Sequence, residues 1–288
     1  MSTLTPTRPE FERQLPPLPP HSAEQPLALG ARLWQRDGLR QLLVLALLAL
    51  LWEGAARWAD NELLLPTFSQ AAVAWWSDLR SGELLLRTGV SLALLLQGYA
   101  LGVTGALALS ALAVATRPGR DLLATLTSLF NPLPAIALLP LALLWFGLGP
   151  ASLIFVLVHA VLWPVALATL SGFQGVPETL RMAGRNYGLR GLGYVVQILV
   201  PAALPALLSG LRIGWAFAWR TLIAAELFFG ASSGRGGLGW YIFQNRNELM
   251  TDHVFAGLAT VVLIGWGVER LVFDSIARVT VRRWGLQR

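Results

Sequence analysis

Six apolar stretches govern what this 288-residue chain can become: residues 42–58, 89–116, 122–149, 151–172, 207–230 and 254–273. Each comes close to the roughly 20 residues that a helix needs to cross the hydrocarbon of a bilayer. Backbone in hydrocarbon must satisfy its own hydrogen bonds, so only helices and closed barrels span it, and continuous runs of this length predict helices. Composition agrees, with 55% hydrophobic residues, 13% charged and a mean hydropathy of +0.58. That is more apolar surface than one soluble core of this size needs. The expected fold class is all-α: a polytopic membrane protein with six transmembrane helices.

The chain contains no Cys and no Lys, and all 22 of its basic residues are Arg. Disulfides, thiolate chemistry and a phosphate-binding loop ending in Gly-Lys-Ser/Thr are thereby excluded, so any ATP that drives a process must be hydrolysed by another chain. Arginines gather before the first stretch (Arg8, Arg13, Arg32, Arg36, Arg40), after the second (Arg117, Arg120), after the fourth (Arg181, Arg185, Arg190) and after the last (Arg278, Arg282, Arg283). By the positive-inside rule these regions and both termini are cytoplasmic, and the net charge of +6 marks inner loops and lipid headgroups rather than a nucleic-acid surface. Residues 1–40 are proline- and arginine-rich and predict a disordered cytoplasmic tail, leaving 41–288 as the transmembrane domain.

Several stretches depart from plain hydrocarbon. Asn131, Pro132, Pro134 and Pro140 interrupt the third, where lost backbone donors demand protein or water partners; either a broken helix lining a pathway or a packing kink is expected. Gly98, Gly102 and Gly105 share one helix face in the second and predict close helix packing. Residues 66–87 and the aromatic run after Gly239 predict interfacial helices on the outer side, and 232–239 a flexible turn or outer gate. In the fifth stretch Arg220 and Glu226 sit at depth, where an ionised side chain costs about 2.5–3.5 kcal/mol unless it faces protein or water. Six residues of helix turn them roughly 240° apart, so they do not neutralise each other directly. Arg220 needs either an anionic substrate or a structural acceptor on another helix or a second copy. His159 and Asn131 are further pathway candidates. No metal-ligand cluster and no catalytic motif such as His-Glu-x-x-His or Gly-x-Ser-x-Gly is present, so no enzyme chemistry is expected.

Between the fourth and fifth stretches, residues 174–200 form a polar loop that reads Met182-Ala183-Gly184-Arg185-Asn186-Tyr187-Gly188, nine residues, then Ile198-Leu199-Val200-Pro201. This spacing resembles the cytoplasmic signature of ABC importer permeases: Glu-Ala-Ala, three residues, Gly, nine residues, Ile, one residue, Leu-Pro. Ala183, Gly188, Ile198 and Pro201 match, while Met182, Gly184 and Val200 replace the family's Glu, second Ala and Leu. Asn131-Pro132-Leu133-Pro134, Leu144 to Gly149, Pro201 to Pro205, Ala224-Ala225-Glu226-Leu227 and Gly237-Leu238-Gly239 resemble the nitrate, sulfonate, taurine and bicarbonate branch of that family. The resemblance implies a coupling helix between the fourth and fifth spans, docking on an ATPase through Arg181, Met182, Ala183, Gly184, Arg185, Gly188 and Pro201. It implies a homodimeric permease in the bacterial inner membrane that imports small anions. Two ATPase subunits would bind the ATP and Mg, an outer substrate-binding protein would deliver the cargo, and this chain would carry no cofactor. An ATP-independent channel or secondary anion transporter is the alternative; it would have no need of a docking loop.

Overall fold

The computed structural model describes residues 37–229 and 236–282, and among them every regular element is helical. In chain order these are α1 (Asp37–Ala59), α2 (Phe68–Ser81), α3 (Glu83–Ala115), α4 (Arg117–Phe130), α5 (Leu139–Phe146), α6 (Pro150–Gln174), α7 (Glu178–Asn186), α8 (Leu204–Phe229), α9 (Leu238–Asn247) and α10 (Thr251–Gly267), the last continuing through wider turns to Arg282. Most of the expected tail lies outside the described residues, and α1 begins at Asp37.

Among the described residues, four helices are long and apolar enough to cross a membrane: α1, α3, α6 and the stretch Thr251–Thr280. Two further crossings exist only if a bent pair counts as one: Arg117–Phe130 with Ala135–Phe146, bent by 88°, and Val195–Ala202 with the following helix, bent by 74°. The third expected span is therefore a chain turning a right angle rather than a kinked rod. The cause is local: Pro132 and Pro134 cannot donate, and the chain closes the corner with Asn131 N–H to Thr127 O and Leu133 N–H to Phe130 O before a 3₁₀ turn at Ala135–Leu138.

Helix α6 is the centre of the packing. It lies against α3 on one flank and α8 on the other, and both present glycines to it. A Cβ added to Gly98 would come 2.5 Å from Leu157 Cβ, and one on Gly102 2.7 Å from Val161 Cβ; Gly105 faces Leu162. From the other flank, a Cβ on Gly210 would meet Ala168 Cβ at 2.5 Å and one on Gly214 would meet Val165 at 2.8 Å. Both flanks thus bring backbone against side chain with no spare volume, the geometry by which helices associate where burial from water offers no driving force. Val156, Val161 and Ala166 of α6 are fully buried as a result.

The short helices expected at the interface do form, but one is turned inward. Thr67 caps α2 in a reciprocal capping box with Gln70, and Gly82, at φ 83°, ends it, so the helix stops at Ser81 and α3 starts two residues later. In α9, Tyr241 is only 2% exposed. Its hydroxyl donates to Asp78 of α2, and the same Asp78 oxygen lies 2.6 Å from His253 Nδ1 at the start of α10. Burial raises the Tyr241 pKa and the Asp78 carboxylate adds to the shift, so the phenol remains the donor at physiological pH. Trp75 Nε1–H donates to Thr260 Oγ1 at 3.0 Å beside it. Elsewhere Arg212 of α8 bridges Glu269 at 3.0 Å and Asp274 at 2.9 Å, tying the extension of α10 to α8.

The glycine flanks define a test. Gly98→Ala is expected to lower the melting midpoint of the detergent-solubilised protein, a destabilisation of about 1–3 kcal/mol from overpacking. Adding Leu157→Gly opposite it, which removes the Cβ that the new methyl meets, should recover part of that loss, whereas Leu157→Gly alone should destabilise.

Candidate functional site

Three groupings among the described residues bear on the candidate site. The first joins two motifs that are distant in sequence. Glu226, 2% exposed in α8, is held by Ser91 of α3, whose Oγ lies 2.8 and 2.9 Å from the two carboxylate oxygens. Gly239 N–H donates to the same carboxylate at 2.8 Å, and Leu238 N–H donates to Ser91 Oγ at 2.8 Å. A buried carboxyl group thus sits at the N-terminus of α9, where unpaired backbone donors need acceptors. The glycines of Gly237-Leu238-Gly239 are steric requirements of this contact. A Cβ on Gly237 would strike Ser91 Oγ and the Glu226 carboxylate, and one on Gly239 would come 2.5 Å from Glu226 Cβ. Glu226 is therefore committed to its own chain, which departs from the expectation that it lines a pathway. Ser91 was missed in the sequence; its only signal was a polar residue inside an apolar span.

The second grouping is a cavity of about 670 Å³ between the bend after α4 and the middles of α6 and α8. Asn131 and His159, both expected in a pathway, line it together with Pro134, Trp163, Phe217 and Thr221. His159 sits edge-on to Phe130 and Trp163, at 6.2 and 6.0 Å between centroids, while those two rings stack at 5.4 Å. Both His159 nitrogens are buried and have no hydrogen-bond partner among the described residues. Arg220 is next to this cavity rather than in its wall. Its guanidinium lies 5.1 Å from the ring of Phe217, its Nε–H donates to the Ala216 carbonyl at 3.0 Å, and the side chain is exposed. The structure thus brings Asn131, His159 and Arg220 to one region and removes Glu226 from it.

The third grouping is the polar loop. Helix α7 forms within it, with Pro177 at its N-cap. It ends in a Schellman motif, with Leu189 N–H to Gly184 O and Gly188 N–H to Arg185 O, and Gly188 has φ 76°. That left-handed turn accounts for the Gly of the spacing. The distance to the second half of the motif has a packing cause: Gly184 is buried, and a Cβ on it would meet Ile198 at 2.8 Å. Arg181 likewise turns inward, donating to the carbonyls of Phe173 and Val176 at the end of α6. Gly184 and Arg181 therefore seat α7 on its own chain. Met182 (50% exposed), Ala183, Arg185 and Tyr187 (87% exposed) form the outward face, and Pro201 is also exposed, one turn before the 74° bend into α8.

The fold is thus a multi-pass helical chain that carries a small, outward-facing helix between α6 and a bent span. Residues 98–285 match the family described as binding-protein-dependent transport system inner membrane component, and the chain belongs to that family. A protein of Methanocaldococcus jannaschii named as an ABC transporter permease is 32% identical over 229 residues, 78% of this chain and 85% of its own length. The Escherichia coli protein named for aliphatic sulfonates transport, SsuC, is 30% identical over 227 residues, covering 79% and 82%. TauC of Escherichia coli, a taurine transport system permease protein, is 35% identical over 150 residues, covering 52% and 53%. The chain is the transmembrane subunit of an ABC importer, and no observation favours a channel or a secondary transporter.

Removing the Glu226 anchor should be costly, because it leaves Gly239 N–H and Ser91 without their buried partner. Glu226→Ala is expected to destabilise the purified protein by about 3 kcal/mol or more, and Ser91→Ala by less, since the Gly239 bond survives. Thermal melts of the two variants check the order.

Proposed function

We propose that this permease imports small organic anions that carry an apolar body, of the sulfonate class, as one half of a homodimer in the bacterial inner membrane. The observation that carries this reading is Arg220: an exposed guanidinium in the middle of a span, beside a cavity walled mostly by Pro, Ala, Leu, Ile, Trp and Phe side chains, with Asn131, His159, Ser171 and Thr221 among them. An arginine at that depth does not face lipid tails. It faces water or a second protein surface, and its planar fork suits sulfonate or carboxylate oxygens. The apolar wall beside it favours cargo with a hydrocarbon or aromatic part over inorganic nitrate or bicarbonate, which would need polar groups all round. Relatives named for sulfonates and taurine support the same class.

Transport in this reading is conformational. The exposed face of α7, with Met182, Ala183, Arg185 and Gly188, docks on a cytoplasmic ATPase, and two such subunits bind the ATP and Mg; this chain carries no cofactor and breaks no bond. Met182 replaces the family's Glu and fills an apolar pocket on the partner, for which a flexible thioether is suited. Movement passes from α7 through Gly184 and Ile198 to the bend before α8, where Pro201 lies. An outer binding protein delivers the cargo, and both termini are cytoplasmic.

Two measurements test the reading. Arg220→Gln, in an assembled importer reconstituted with its ATPase and binding protein, should cut uptake of an alkanesulfonate by about tenfold or more, the worth of a charge-assisted hydrogen-bonded pair. Unchanged uptake rejects the pathway role. Met182→Arg should abolish co-purification of the ATPase while the melting of this chain alone stays as in the parent protein, because the side chain is half exposed and touches none of the core.

A further inference from the structure

A second cavity, of about 780 Å³, lies at the opposite end of α3 and α6 from the outer helices, and its chemistry differs from the first. Four arginines line it: Arg120 from α4, Arg181 and Arg185 from α7, and Arg190 from the segment after it. Glu178 stands 3.9 Å from both Arg181 and Arg185, and Arg181 is further occupied by two backbone carbonyls. Arg120 and Arg190 have no carboxylate within ion-pair distance among the described residues, so the cavity holds an uncompensated positive charge. Tyr194, also in its wall, has a buried hydroxyl with no hydrogen-bond partner among the described residues. The deeper wall is apolar, built from the ends of α3 and α6 that include Leu170 and Phe173.

We infer that this cavity is a binding site for an oxyanion of phosphate type, filled by the headgroup of an anionic phospholipid. Guanidinium forks from Arg120 and Arg190 match a phosphodiester. The amphiphilic wall decides in favour of lipid: four arginines at the ends of membrane spans on the arginine-rich side, with hydrocarbon-compatible surface beside them. Basic pockets between spans at that depth hold acidic headgroups. The site is separate from the Arg220 region and does not depend on which cargo is carried. Because it includes Arg181 and Arg185 of α7, the second of which also borders the exposed docking face, an occupied site braces that helix, which makes the lipid a structural ligand of the docking segment.

The test uses the intact importer purified with its ATPase. The bound lipid is counted by native mass spectrometry after delipidation and exposure to equal phosphatidylglycerol and phosphatidylcholine, and melting is followed with added phosphatidylglycerol or inorganic phosphate. Phosphatidylglycerol should be retained about fivefold over phosphatidylcholine and should raise the melting midpoint. Arg120→Gln with Arg190→Gln should erase that preference, and Arg278→Gln, outside the cavity, should leave it intact. Protection by inorganic phosphate that is lost in the same double variant, without any lipid preference, identifies the same oxyanion site with a soluble occupant. If the double variant does not assemble, Arg190→Gln alone must lower the preference by about half. Equal retention of the two lipids together with no protection by phosphate, or a preference unchanged in the arginine variants, overturns the proposal.

Discussion

The close approach of α6 to its two neighbours is the contact on which the remaining structure depends. In lipid, apolar surface gains little by leaving one hydrocarbon environment for another, so helices associate where their backbones can come near and make many dispersion contacts. Gly98 and Gly102 on α3, and Gly210 and Gly214 on α8, provide that approach from both flanks of α6. With α3 and α8 held against a common helix, Ser91 and Glu226 come within 2.9 Å of each other. The N-terminus of α9 then has a fixed place to end on. The polar anchor is a consequence of the apolar packing, and it in turn orders the chain that follows residue 236.

Charge is used in two ways, separated by depth. Glu226 is enclosed and its hydrogen bonds are satisfied within the chain, the condition under which a buried carboxylate is tolerated. Arg220, only six residues on the N-terminal side of it, is exposed and uses one nitrogen on its own helix. One polar group is thus closed into a network within the chain, and the other is left open beside an aromatic-lined cavity. Arg212 and the Asp78–Tyr241–His253 cluster belong with the structural kind: they join α8 to the extension of α10, and α2 to α9 and α10.

Helix α7 shows how a spacing motif encodes geometry. Gly188 is required by a left-handed φ of 76°, and Gly184 by contact with Ile198 fourteen residues further on. The motif's nine-residue gap, between Gly188 and Ile198, is the length of chain that brings Ile198 back onto Gly184. Since the inward residues are the ones the fold demands, Met182 lies on the face that the fold leaves free to vary. That is why an acid can be absent there while the register persists.

The amino-acid sequence by itself determined the class: all-helical, membrane-spanning and punctuated by arginine-rich loops, because hydrocarbon length and backbone satisfaction leave few alternatives. It also showed the glycine face of α3, the proline break after Phe130, the short helix in the polar loop and the deep charges Arg220 and Glu226. Each of these is written in local composition or spacing. What those residues touch was decided by tertiary structure alone. Periodicity placed Glu226 and Arg220 on different faces without saying which face was closed, and Ser91, Arg212 and Asp78 carry no local mark of the partners they meet 62 to 175 residues away. The prolines break the helix locally, but the direction in which the chain leaves the 88° corner was set by packing, of α4 against α3 and of α5 against α6, since proline removes a hydrogen bond without choosing where the chain turns.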